Sequence, residues 1–173
     1  MARKTNKDII ITMSEAVDKL FSKGLQQGFA GGTVMSDVKR AEFNFKSSHF
    51  EEDGNIYHDE WFADRAGAGQ EVVKVGDVVY SRVYAGGTLP VEELQKIGTD
   101  KGQIMTFLKK QMLENGEKIR LHTNFNSEAD GDWQYSYKVT ETNSQIHLTM
   151  GKEVITFKGN LVFEHDFIIC PVD

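Results

Sequence analysis

Cysteine is almost absent. Cys170 stands alone among 173 residues, so no intramolecular disulfide can form, and the expected setting is a reducing, cytoplasmic one. Long apolar runs are missing too. None approaches the ~18–20 residues of a membrane-spanning helix. Behind Arg3, Lys4 and Lys7 the apolar stretch is only Ile9-Ile10-Ile11, too short for a secretory signal. Positive charge is in deficit. Twenty Lys and Arg face 26 Asp and Glu, a formal net charge of −6. Nucleic-acid binders carry a basic stripe that releases counterions from phosphates, so direct DNA or RNA binding is not expected. The densest charge run is acidic: Glu51, Glu52, Asp53, Asp59, Glu60 and Asp64, with no Lys or Arg between residues 51 and 64. No P-loop, nucleophile elbow or His-x-x-x-His pair occurs. The five histidines are scattered at 49, 58, 122, 147 and 165, which gives no metal cluster. Neither a cofactor nor a metal is therefore expected.

What is present looks like one ordinary globular domain, with 39% apolar and 27% charged residues. Val17, Leu20, Phe21, Gly24, Leu25 and Gly28 form one stripe of 3.6-residue period, so residues 12–28 read as a helix. Thr12 and Glu15 have the spacing of a capping box. Alternating segments follow near 40–47 and 55–65. A hairpin of 70–75 and 78–85 turns at Gly76-Asp77. The order then restarts. Pro90 opens a second helix whose stripe is Ile97, Ile104, Phe107, Leu108 and Met112, interrupted near Gly98–Gly102. Strands follow near 118–125 and around Trp133, Tyr135 and Tyr137. The last hairpin joins 152–157 to 161–169 through Lys158-Gly159-Asn160. Gly69-Gln70-Glu71-Val72-Val73 parallels Gly151-Lys152-Glu153-Val154-Ile155. The expected fold is α+β. It is one domain of two duplicated α-β-β-β-β units, about 12–87 and 90–169, each an antiparallel sheet with one packed helix.

These segments resemble an uncharacterised group of bacterial domains often found behind a helix-turn-helix of the XRE regulator type. The resemblance runs through Tyr57-His58-Asp59-Glu60-Trp61-Phe62, Gly69-Gln70-Glu71-Val72-Val73 and Phe29-Ala30-Gly31-Gly32. It continues through Tyr84 with Gly86, Phe107-Leu108-Lys109, and Gly151 with Glu153 and Phe163. It implies an architecture and a sensor-like context without a reaction. Two departures stand out. The first helix leads directly into strands, with no helix-turn-helix. Arg82 and His165 also stand where the family has mainly apolar residues.

Hairpin register then fixes a candidate site. A Gly76-Asp77 loop sets Glu71 opposite Arg82, flanked on one face by Tyr80 and Tyr84. A three-residue loop at 158–160 sets Glu153 opposite His165, flanked by Phe163 and Phe167. On a functional reading these pairs would line a pseudo-symmetric ligand pocket. Arg82 supplies a planar donor fork for phosphate or carboxylate, His165 a second donor near neutral pH, and Trp61 and Trp133 flat stacking surfaces. The alternative is a set of cross-strand contacts without a ligand. The expected function is a non-enzymatic module for a small anionic, nucleotide-like ligand, acting as a sensor or a sequestering protein, and self-association is compatible with it. A second reading is an inhibitor that offers the acidic 51–64 stretch to a basic, nucleic-acid-handling protein. A third is a small enzyme with Glu71 or Glu153 as general base and Arg82 or His165 as electrophile.

Overall fold

A computed structural model describes residues 6–63 and 65–172. It opens with helix α1 (Asn6–Leu25) and a π-helical turn (Gln26–Ala30). Strands β1 (Met35–Arg40), β2 (Phe43–Glu52), β3 (Asn55–Ala63), β4 (Ala66–Val75) and β5 (Val78–Thr88) follow. Helices α2 (Val91–Ile97) and α3 (Lys101–Asn115) come next, then β6 (Phe125–Asn126), β7 (Trp133–Asn143), β8 (Leu148–Phe157) and β9 (Asn160–Pro171). The strands form one antiparallel sheet in the order β1-β2-β3-β4-β5-β9-β8-β7-β6. The α+β class holds. The arrangement differs from four strands and one helix per half: five strands precede the central helices, four follow them, and all nine share one sheet.

The differences have local causes. β1 escaped notice because its side chains are almost all exposed and show no apolar alternation. The segment near 118–125 is not a strand beyond Phe125–Asn126. Ile119, Arg120 and Leu121 are buried in succession, whereas a strand sends neighbours to opposite faces. Arg120 takes a left-handed φ of 58° to do so. Thr12 lies inside α1, which starts at Asn6, and not at a helix start. The interruption of the second helix is real. Gly98 ends α2 at φ 86°, and Asp100 caps α3 in a reciprocal box with Gln103.

Both helical stripes face the same side of the sheet. Val17, Leu20, Phe21 and Leu25 of α1 are buried, as are Ile104, Phe107, Leu108 and Met112 of α3. Gly24 lets α1 approach closely, because a Cβ there would run into the Tyr57 ring. The first hairpin turns at Gly76-Asp77 with Val75 opposite Val78. The second turns on two residues, Lys158 and Gly159, both at positive φ. A register shift at Ile155/Thr156 absorbs the residue that the sequence had placed in the loop. Glu153 consequently still sits opposite His165.

Candidate functional site

The helix-covered face of the sheet would be expected to be apolar, yet its middle is charged. Glu71 on β4 and Arg82 on β5 are register partners, and both are 0% exposed. The Arg82 fork donates Nε–H to Glu71 Oε2 at 2.5 Å and Nη2–H to Oε1 at 2.7 Å. Its third nitrogen, Nη1, donates to the Arg120 carbonyl at 2.7 Å. Tyr57 donates its hydroxyl to Glu71 Oε1 at 2.9 Å. The Phe21 ring lies 4.4 Å from the guanidinium carbon. Arg82 is therefore fully engaged within the protein and offers no open fork to an anion.

Glu153 on β8 has a cation that the sequence did not reveal. Arg120, on the irregular segment after α3, donates Nε–H to Glu153 Oε1 at 2.8 Å and Nη2–H to Oε2 at 2.6 Å. Tyr135 adds its hydroxyl to Oε1 at 2.6 Å, and the Phe167 ring lies 4.7 Å from the Arg120 guanidinium. Burial raises the Glu153 carboxyl, but the Arg120 charge and hydrogen bonds outweigh it and leave the carboxyl below the ordinary range. His165 faces Glu153 across the ladder, yet Nδ1 is 3.8 Å from Oε2 and has no hydrogen bond. Burial pulls the imidazole down to about 4 against the attraction of Glu153. It is neutral at pH 7, not the switchable donor expected. The one sequence signal for Arg120 was a lone cation between Ile119 and Leu121, in a segment read as a strand.

Beside these pairs lies a cavity of about 90 Å³ between the sheet and α3. Leu25, Phe29, Trp61, Met105 and Leu108 supply apolar wall. Asp59, Glu71, Tyr84, Arg120 and His165 supply the polar part. Asp59 is 3% exposed and accepts a hydrogen bond from the Tyr84 hydroxyl at 3.1 Å. Burial first, and the neighbouring Glu71 second, push its carboxyl well above the usual aspartate value. Burial and the Asp59 charge raise the Tyr84 phenol as well, so Tyr84 stays a donor. Of the predicted site residues, Glu71, Tyr84, Trp61 and His165 border the cavity. Arg82 and Glu153 do not line it. Tyr80 packs against the α1 cluster instead. Trp133 stacks on Phe107 and packs at a tilt against Phe157. The acidic stretch is also divided. Glu51, Glu52 and Asp53 are exposed at the β2–β3 turn, Asp59 is inside, and Glu60 pairs with Arg40 at 2.9 Å.

Fold and site together define an α+β protein on one antiparallel sheet, whose helix-covered face holds two buried Arg–Glu pairs next to a small cavity. The chain belongs to the family DUF5680, a domain of unknown function, whose model matches residues 59–169. That span begins at Asp59 and contains Glu71, Arg82, Arg120, Glu153 and His165. No curated protein and no solved structure matches the chain. No described helix is long and apolar enough to cross a membrane.

Proposed function

We propose that this protein is a non-enzymatic binding module whose ligand enters the cavity between α3 and the sheet, and that it senses or sequesters that ligand. The observation that supports this is the cavity's make-up: apolar and aromatic walls around a few convergent polar groups, the usual form of a small-molecule site. The ligand part inside is small. About 90 Å³ is less than the ~150 Å³ apolar cavity that accepts benzene, so a head group fits and a whole nucleotide does not. An anion gripped by Arg82 has less support, because both guanidinium forks are closed by glutamates. We further propose that the two halves are duplicated units. Tyr57–Glu71 and Tyr135–Glu153 are like hydrogen-bonded couples on β3–β4 and β7–β8. The setting we propose is the cytoplasm, in the company of XRE-type regulators.

The test is a thermal-shift screen of purified protein against small metabolites, with Met105→Trp as the filled-cavity control. Binding to the folded state raises Tm by mass action. A ligand of the cavity raises it in the wild type and not in the control. If no compound shifts the wild type and heated protein releases no small molecule, the reading fails. A second reading, a basic protein partner, is favoured by the exposed Glu51, Glu52 and Asp53 at one turn. Charge reversal at these three positions would then abolish partner capture and leave the thermal shifts unchanged.

A further inference from the structure

The buried polar cluster does not balance. Asp59, Glu71 and Glu153 are 3%, 0% and 0% exposed, and Arg82 and Arg120 are 0% and 4%. Three carboxylates thus share a dry interior with two guanidiniums. The guanidiniums are committed, Arg82 to Glu71 and Arg120 to Glu153. Asp59 is left with the Tyr84 hydroxyl, a dipole and not a charge. An isolated buried charge is among the costliest groups a fold can hold; burial and Glu71 accordingly push the Asp59 carboxyl up, and a cation arriving beside it would favour its ionised form. Asp59 also borders the cavity, within reach of what enters it.

The geometry points to a small organic cation, an ammonium or guanidinium head on a short apolar stem, as the group that the cavity receives, with Asp59 as its counter-charge. The inference rests on the cavity being the ligand site. The cavity's walls agree with the chemistry. Trp61, Phe29 and Tyr84 border it, and aromatic faces attract a desolvated cation. Leu25, Met105 and Leu108 suit the stem. The imidazole of His165 is neutral, so it does not repel the head. Two further cations border the cavity, Arg65 and Lys101. Arg65 is exposed and donates Nη1–H to the Thr88 carbonyl at 2.7 Å. Lys101 is half-buried. Both touch water, which screens them in a way the interior cannot screen Asp59.

Four probes of like size test this: butylammonium, methylguanidinium, 1-butanol and butyrate. Each is titrated by calorimetry against the full chain, with Trp fluorescence reporting entry beside Trp61. The two cations should bind at least tenfold more tightly than 1-butanol, and butyrate should be the weakest. Asp59→Asn keeps the shape, removes the ionisable carboxyl and should erase the preference. Tyr84→Phe, which keeps Asp59 ionisable, should retain it and so guards against a misfolded first variant. If 1-butanol matches the cations in both wild type and Asp59→Asn, the cation is refuted while the cavity survives as a site. If none of the four binds, both readings fall. A preference for cations that appears only in Lys101→Met would show that the lysine already balances Asp59, and that too overturns the inference.

Discussion

Replacing Arg82 by methionine removes three hydrogen bonds at once: two to Glu71 and one to the Arg120 carbonyl. Methionine fills much of the same space against Phe21, so little cavity is created. The damage is electrostatic. Glu71, 0% exposed, would keep the Tyr57 hydroxyl and lose its cation. Stranding one member of a buried pair costs about 3–5 kcal/mol. For a chain of this size each kcal/mol lowers Tm by roughly 2–4 °C, which gives a fall of roughly 6–20 °C. The double variant Arg82→Met with Glu71→Gln leaves no stranded charge. It should regain most of the loss and lie within about 2 kcal/mol of the wild type. Urea unfolding followed by Trp fluorescence measures both, and the slope m should not change. A single substitution costing under about 1 kcal/mol would refute the reasoning. So would a double variant less stable than the sum of its singles. Any ligand binding lost in Arg82→Met would track lost fold, because Arg82 does not border the cavity.

Three further outcomes are expected. The His165 imidazole is depressed to about 4 in the fold from 6.5. Its contribution is therefore full above 6.5 and drains away as pH falls toward 4, on the order of 3 kcal/mol in all; stability–pH curves of wild type and His165→Phe should converge over that interval and run parallel above it. Asp59 is raised, the opposite sign for stability: its penalty is present at neutral pH and is relieved as pH falls through its folded value toward 3.8. Asp59→Asn should therefore be the more stable protein at pH 8, with an advantage that shrinks on acidification in chemical denaturation. At Gly69 a Cβ would collide with the Tyr84 hydroxyl and the Trp61 Cβ, and at Gly151 with the Tyr137 ring. Either Gly→Ala change should cost about 1–3 kcal/mol, and Gly69→Ala should also disturb the Tyr84–Asp59 bond, visible as a shifted Trp61 emission.

The parts of the fold that sequence displays are those governed by strict periodicity. The α1 and α3 stripes and the first hairpin's register follow from spacings of 3.6 and 2 and a two-residue loop, which set Glu71 opposite Arg82. Glu153 was set opposite His165 through a three-residue loop, and that pairing survives because a register shift offsets the two-residue turn actually made. What stayed hidden depends on chain segments meeting from afar. Arg120 reaches Glu153 from an aperiodic stretch 33 residues away, and no local pattern marks a left-handed arginine as a partner. Asp59 counted as one acid among six in an acidic run, because its burial follows from helices packed over the sheet, α1 on β3 among them, and no pattern within β3 marks that. Tyr80 and Trp133 failed as site residues for a related reason: alternation tells which face a side chain takes but not which part of a nine-strand face lies beneath the cavity.

The sheet's order imposes a schedule on the chain's synthesis. β9 is the ninth strand to be made, yet it lies between β5 and β8. Until it emerges from the ribosome, β5 with 11 residues and β8 with 10 present bare edges, the kind of surface that recruits a neighbouring polypeptide. A nascent chain halted before residue 160 would hold two unfinished meanders with no ladder joining them. Crowded polysomes should therefore be where this protein is most vulnerable to aggregation, and a chaperone that shields those two edges would do more for its yield than one that guards its helices.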